Sequence, residues 1–543
     1  MKKLIILTAL SAIFLLLAFA CGESSTPSAP SGGADSGSSS SAAPSAGTAS
    51  TGAPGQPKVL NFGVFASISS LEPTTDWDSW YIVRIGVGET LVRFNKTMGA
   101  EPWLAESFSV APDNLTWTFK IRDNVKFSNG KPVDAAAVKA SFERVDKLAQ
   151  ERFKSEFFTY ESLEADGQNF IIKTVDPTPG LAGMLADPLF LVVDAEANPE
   201  KVENEGVICT GPYKYLPRNG ENISAVRNDL YWDGKPPFDQ VNFVTITDPN
   251  TRAMALQSGD VDLAANMSTS DVPLFLSNPD FTVSEIQSLR VVMAFMNLDN
   301  KVLADENLRK AVKSSLDLKT YADKILGGRF APGKGPLPPS LGYGFDSLVD
   351  PFPFDMEKAK GFLEAAGYTD TNGDGTVDKD GAPLVLNYVY YSSRAEFPLL
   401  VEATQHALES LGVKVNLNQV EASNLNEIRK TRDYDLLVMN IITAGTGDPQ
   451  SFLVSQFETG AFNNSNGYSN TELDALFEKL KLEFDAAERE KLITKSQELI
   501  IEVPAHIFYA YPNTNIVYNN RVTGVEMLPA DYYWITKDLD LKS

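Results

Sequence analysis

The sequence predicts an α/β protein built around more than one core. From residue 58 onward, runs with the two-residue period of strands take turns with runs at helical spacing. That alternation points to α/β lobes rather than an all-β fold or a helical bundle. The stretch 58–543 has 486 residues, enough to bury at least two cores. No internal repeat at the 20–50 residue scale is visible.

The elements follow in order. Val59–Val64 opens as a strand, and Leu115–Ile121 alternates strictly, as a half-buried strand does. Ser128–Pro132 is a turn, after which Asp134 caps a helix with Ala137, Val138, Phe142 and Val145 on one face. Phe170–Val175 and Val241–Ile246 are strands, and a helix beginning at Arg252 stops at Gly259. Val291–Asn297 is an apolar strand, followed by helices over Leu308–Leu316 and Met356–Ala366. Leu384–Tyr390 and Val413–Val420 are strands flanking a helix over Pro398–Leu411, and Asp435–Asn440 is a short strand. Thr471 caps a helix reaching about Phe484, and Ala486–Val503 is the last helix.

Ahead of this body lie two segments of different character. Residues 1–20 carry Lys2 and Lys3 and then a 17-residue apolar run, Leu4–Ala20, short of the roughly 18–20 residues of a spanning helix. The run ends in Ala18-Phe19-Ala20-Cys21, which resembles a lipoprotein signal with Cys21 as the lipidated first mature residue. A plain secretory signal is the alternative. Residues 22–57 contain 30 Ser, Gly, Ala or Pro among 36 and no large apolar side chain, so they cannot bury a core. They read as a tether spanning about 30–36 Å. The expected location is the outer side of the cytoplasmic membrane.

The net charge is −24. Lys2 and Lys3 offset Glu23 and Asp35, so the body carries all of it. An acidic body without a basic block is a poor partner for nucleic acid. Two cysteines, Cys21 and Cys209, exclude a disulfide scaffold, and two histidines, His406 and His506, argue against a histidine-rich metal site. Gly328–Lys334 fits seven positions of a phosphate loop, but Gly335 stands where the hydroxyl belongs and prolines crowd the segment. It reads as an irregular loop. No nucleophile or metal constellation is found, so no catalytic residue is named. Asp370, Asn372, Asp374 and Asp378 fall at positions 1, 3, 5 and 9 of a calcium loop with Gly375 at position 6. Position 12 is Gly381 rather than Glu, and the competing reading is an Asp/Asn/Gly turn. Trp77, Trp80 and Tyr81 cluster early, and Tyr388, Tyr390, Tyr391, Tyr509, Tyr511, Tyr532, Tyr533 and Trp534 later. Such side chains suit the walls of a small-ligand site, or simply the core.

Several segments together resemble one family, the peptide/nickel-type (family 5) solute-binding lipoproteins of ABC importers. They are Glu89-Thr90-Leu91, Glu101–Phe108, Leu115–Ala135, Cys209–Tyr213, Arg227–Asp239 and Arg252–Asp262, in family order. The resemblance implies a periplasmic-binding-protein fold: two α/β lobes joined by a hinge, one lobe inserted into the other. The expected boundaries are 58–296 plus 512–543 for lobe I, with an extra subdomain over roughly 82–206, and 297–511 for lobe II. Ligand would lie between the lobes, and a membrane permease would receive it from a monomeric protein. No catalysis and no required cofactor are implied.

The ligand implied is a short peptide or a nickel-type metal chelate. Peptide-binding relatives hold the ligand's amino terminus with an Asp in a loop matching Thr443–Pro449. Here Gly445 stands in that place, followed by Thr446, while Asp448 matches a later, structural Asp. The nickel branch grips an anionic chelate with arginine, and Arg152 falls about where that branch places it. Arg84 and Arg290 are further candidates for an anionic group. The ligand-binding set expected is therefore Trp77, Trp80, Tyr81, Arg152, Arg290, Tyr391, Gly445 and Thr446. The alternatives are an exported peptidase or glycosidase-like enzyme on a similar scaffold, and a sensor or chaperone without a transport role.

Overall fold

The computed structural model describes residues 57–542, apart from 67, 76, 150–156, 198–200, 219, 392–393 and 422–423. The leader, the tether, Cys21 and Arg152 lie outside the described residues.

The body is mixed α/β, with two large cores. The first lobe grows from the strand Val59–Val64. Its buried Leu60, Phe62 and Val64 anchor a parallel ladder with Gln240–Thr245 on one side and Leu263–Ala265 on the other. Ile223–Arg227 and Tyr213–Tyr215 extend that sheet in antiparallel fashion. The helix Pro249–Ser258 packs beside it. Asp248 starts this helix by accepting the Thr251 N–H at 2.7 Å, and Gly259 ends it in the left-handed conformation (φ +83°). A separate four-stranded antiparallel sheet holds Ala105–Val110, Thr116–Ile121, Asn169–Thr174 and Tyr160–Asp166. The alternation expected of Thr116–Ile121 turns Trp117, Phe119 and Ile121 inward. The helix Ala135–Leu148 covers them, capped by Asp134 accepting the Ala137 N–H at 2.9 Å.

The second lobe is organised on the strands Val385–Tyr391, Lys414–Val420, Leu436–Ile442 and Arg290–Met296. Its helices start two residues earlier than the sequence suggested at two places, Glu306–Ser314 and Glu396–Glu409. Thr471 is not a cap: Asn470 accepts the N–H groups of Glu472 and Leu473, and the helix Thr471–Leu480 ends four residues before Phe484. Asn and Thr both accept such bonds well, so sequence alone did not separate them.

One strand, His506–Asn519, belongs to both lobes. Its first half pairs with Arg290–Met296, and its second half with Phe281–Gln287 and Leu263–Ala265. The other crossing differs from the expected 296/297 boundary. Leu289 packs in the first core, whereas Val291–Met296 lie wholly in the second. The chain thus changes lobe at Ser288–Arg290. An apolar run buried on both faces does not reveal which core it enters. The Ser288 N–H and Oγ–H both donate to the Pro512 carbonyl, at 3.0 and 2.8 Å, which ties the two crossings together.

Candidate functional site: a cleft between the lobes

A cleft of about 3090 Å³ opens where the crossings meet, with walls from both lobes. The helix Asp78–Arg84 supplies part of the first wall. It is fixed at its start by Asp78, whose carboxylate accepts from Ser69 Oγ at 2.6 Å and the Ser70 N–H at 2.7 Å. Trp77 is half exposed and meets Trp80 edge to face at 5.2 Å, and Trp80 meets Tyr532 the same way at 5.2 Å. Trp77, Trp80, Tyr81 and Arg84 all line the cleft.

Arg84 is buried at the end of that helix. Its Nε donates to the Asp531 carbonyl and its Nη2 to Asp531 Oδ2, both at 2.9 Å, while its guanidinium lies 4.3 Å from the Trp534 ring centre. Trp534 Nε1 donates to the other carboxylate oxygen at 2.6 Å, so both oxygens of Asp531 are engaged. Burial raises the Asp531 carboxyl above its ordinary value, and the Arg84 charge opposes that rise. Arg290, at the crossing, donates to Asn440 Oδ1 at 3.3 Å. Asn440 Nδ2 in turn donates to Glu396 at 2.9 Å. Burial, and next the charge of Arg394, push the Arg290 guanidinium down to about 10, so it remains a cation at neutral pH. Arg84, Arg290 and Arg394 therefore converge on the inner cleft from the first lobe, the crossing and the second lobe.

The loop Thr443–Pro449 joins them. Thr443 donates twice to the Leu289 carbonyl, and Tyr532 Oη donates to that of Gly445 at 3.3 Å. Gly445 and Thr446 line the cleft with no carboxylate at either position. Asp448 is structural: Arg489 reaches its Oδ2 through Nε at 3.1 Å and Nη2 at 2.7 Å. Gly447 has φ +77°, and a Cβ there would sit 2.6 Å from the Phe94 ring and 2.7 Å from the Met98 carbonyl. Gly183 is tighter still, since a Cβ would meet the Thr446 carbonyl at 2.1 Å.

The remaining expected residues are placed elsewhere. Tyr391 packs in the second core, 4.8 Å edge to face from Phe397, and is not on the cleft wall. Tyr388 and Tyr509 are also core, joined by a 2.8 Å hydrogen bond. Asp370, Asn372, Asp374 and Asp378 lie away from the cleft. Asp370 accepts the N–H groups of Gly373, Asp374 and Gly375, and Asp378 accepts from the Thr371 N–H and Oγ. Among the described residues no group of three or more His, Cys, Asp or Glu could hold a metal ion. Cys209 is buried, and burial pushes its thiol up. The Gly328–Lys334 segment forms a short strand, Phe330–Pro332, against the crossing strand. At Gly333 a Cβ would sit 1.8 Å from the Phe508 carbonyl, so that glycine serves packing. Sequence reasoning missed Arg394 and Asp531. Asp531 sits directly before the Tyr532–Trp534 aromatic cluster, which was a usable signal; Arg394 had none.

No helix among the described residues is long and apolar enough to cross a membrane. The model for "Bacterial extracellular solute-binding proteins, family 5 Middle" matches residues 99–464. The chain is 26% identical over 494 residues to the probable D,D-dipeptide-binding periplasmic protein DdpA of Escherichia coli (strain K12), covering 87% of this chain and 92% of that one. It is 25% identical over 484 residues to the nickel-binding protein NikA of Staphylococcus aureus (strain NCTC 8325 / PS 47), covering 88% and 93%. The solved structure of a nickel ABC transporter protein from Bacillus halodurans superposes with a TM-score of 0.74 at 31% identity, covering 89% of this chain and all of that one. These relatives are binding proteins rather than enzymes, and the fold is that of periplasmic binding proteins. With the family model spanning more than half of its length, the chain belongs to the bacterial extracellular solute-binding proteins, family 5.

Proposed function

We propose that this protein is an extracytoplasmic receptor, anchored by a lipid on Cys21, that encloses a short peptide or metal chelate and delivers it to the permease of an ABC importer. The observation that carries the reading is the cleft itself. Its walls belong to different lobes, and the lobes are joined through two crossings that meet at Ser288 and Pro512. A ligand touching both walls favours the closed form by its differential contacts, and a permease can recognise that form. The ligands named for the relatives, a D,D-dipeptide and nickel, mark out the class.

Within this reading Arg290 and its neighbours Arg84 and Arg394 receive an acidic group of the ligand. Trp77, Trp80 and Tyr81 supply apolar wall. Neither Gly445 nor Thr446 offers a carboxylate to an α-ammonium, and the cleft's Asp448 and Asp531 are already held by Arg489 and Arg84, which forgoes about 1.5–3 kcal/mol of charge-assisted hydrogen bonding. Recognition therefore leans on the acid rather than on the amine.

Small-angle scattering of the mature chain against short peptides and nickel chelates tests the reading. A fall in radius of gyration with a rise in melting temperature is expected for at least one class; constancy of both across the panel rejects it. Cys21→Ala is expected to move the protein from the membrane fraction to the soluble fraction.

A further inference from the structure

The inner arginines occupy only part of the cleft. Its volume of about 3090 Å³ exceeds the roughly 300–1,000 Å³ of an ordinary small-ligand site. Its walls also take in Thr247, Arg252 and Ser268 of the first lobe and, on the second lobe, residues of the helices Leu425–Thr431 and Gln450–Phe457.

The cations on that second-lobe wall divide sharply. Arg432 pairs with Asp299, and Lys481 with Glu458 at 2.6 Å. Lys430 is exposed to solvent. Arg429 differs from all of them. It is half-buried and held only by neutral acceptors: Nε donates to Ser465 Oγ at 2.9 Å, and Nη2 to Asn463 Oδ1 at 2.8 Å. Among the described residues no carboxylate pairs with it. Those acceptors are themselves fixed, since Tyr434 Oη donates to the Ser465 carbonyl at 2.6 Å and the Asn463 N–H to that of Ser455 at 3.1 Å. The guanidinium is thus oriented in advance yet lacks a counter-ion, and a partly desolvated cation gains most from an anion supplied by a ligand.

Two orphaned acceptors accompany it. Gln456, adjacent to Ser455, is 4% exposed and its Oε1 has no hydrogen-bond partner. Asn464, 5% exposed, uses its Nδ2 on the carbonyls of Glu458 and Tyr468, which fixes the amide and leaves Oδ1 without a partner. Both residues line the cleft. Buried acceptors are rarely left unpaired, and both atoms are closed to solvent in this form, so a ligand donor would reach them only on rearrangement of the wall.

We infer that the outer cleft is a second ligand subsite, in which Arg429 takes a carboxylate of the ligand. The ligand is then elongated and acidic at both ends, one end on the inner arginines and the other on Arg429. The inference rests on the receptor reading and narrows its ligand class.

Linear α,ω-dicarboxylates serve as rulers. Succinate, adipate, suberate and sebacate are titrated into the full mature chain by calorimetry at low ionic strength. Affinity is expected to pass through a maximum with length, at least tenfold above succinate, because the second acid then binds at high effective concentration. Arg429→Gln should remove that maximum and leave succinate within twofold, whereas Arg290→Gln should weaken every diacid. Arg429→Lys, which keeps the charge but not the fork, should recover part of the maximum. A flat length dependence, a maximum that survives Arg429→Gln, or no binding by any diacid overturns the inference. The receptor reading fails separately, when no peptide, chelate or diacid draws the lobes together in scattering. A length optimum without closure upholds the subsite and rejects delivery.

Discussion

Arg84 holds Asp531 by two hydrogen bonds of equal length, 2.9 Å, one to its backbone carbonyl and one to its carboxylate. The pair joins the first helix of the body to the last segment of the chain, 447 residues apart. Asp531 also stands in the left-handed region (φ +62°), which Asn tolerates. Asp531→Asn therefore keeps the shape and removes the charge, leaving Arg84 buried without its partner. We expect a loss of about 3 kcal/mol, read from the urea midpoint. An unchanged midpoint would show that the pair orients the inner cleft without stabilising the fold.

The glycines of the cleft loop make a graded prediction. Gly447→Ala places a Cβ against the Phe94 ring and the Met98 carbonyl at positive φ, and Gly183→Ala places one against the Thr446 carbonyl. Each should hold the lobes apart and weaken ligand binding by tenfold or more. Gly445→Ala is the control, because its nearest neighbour would be Ile442 at 3.6 Å, an ordinary contact. Equal effects of all three on closure, measured by scattering, would show that the loop is not a point of lobe contact.

Glu89 gives the first lobe a pH dependence. It is fully buried, accepts from Thr210 at 2.7 Å, Tyr231 at 2.9 Å and Trp232 at 3.1 Å, and pairs with no cation among the described residues. Burial raises its pKa to about 7, against 4.5 unperturbed. Between those values the folded protein holds a proton that the unfolded chain has released. Its contribution is therefore fully present below pH 4.5 and is lost as pH rises towards 7, about 3 kcal/mol over the window. Glu89→Gln keeps one acceptor for Thr210 and Trp232 and can donate to Tyr231, so it should flatten this slope. Melting curves that fall equally with pH in both proteins would assign the slope to other groups.

His506 acts in the opposite sense in the second lobe. It is buried among Phe295, Phe457 and Tyr468, with Nε2 at 3.1 Å from Asn466 Nδ2, and burial lowers its pKa from 6.5 to about 3. The unfolded chain takes up a proton between those values and the folded protein does not, so stability falls as pH drops through the window. The imidazole resonances should show a neutral ring down to about pH 4 in the folded protein. A titration near 6.5 would place the ring in contact with water.

The sequence foretold the fold wherever periodicity and capping chemistry act locally. Thr116–Ile121 and the Asp134-capped helix are examples, since alternation and a side-chain acceptor suffice there. It misplaced the first crossing because Val291–Met296 is apolar on both faces and equally at home in either core. At the site, Trp77, Trp80, Tyr81, Arg290, Gly445 and Thr446 do meet on one cleft, drawn from segments more than 360 residues apart. Tyr391 does not, because a tyrosine on a strand reads alike whether it faces ligand or core. Arg394 and Arg429 were invisible for a further reason. What distinguishes them is which charges lack a partner, and partnership is set by tertiary contacts that no local spacing encodes.

The loop Asp370–Asp378 carries the last prediction. Its spacing suits calcium, yet its oxygens are already engaged: Asp370 takes three backbone N–H groups at 2.7–3.2 Å, and Asp374 takes the Thr376 N–H at 2.8 Å. Asp378 is bound by Thr371, and hydrogen bonds to Thr376 and Asn372 hold the Asp374 carboxyl below its usual range. Gly373 and Gly375, at φ +77° and +86°, permit the tight bend that aims those N–H groups inward. A calcium ion would have to strip these bonds before it gained ligands, and position 12 offers Gly381 in place of a bidentate carboxylate. Calcium at millimolar concentration should therefore leave the melting temperature unchanged, whereas Asp370→Ala should lower it by releasing three exposed N–H groups to water, at a cost of about 0.5–1.5 kcal/mol. A saturable calcium-dependent rise that Asp370→Ala abolishes would instead make the loop a metal site whose ion-free form is what the hydrogen bonds describe.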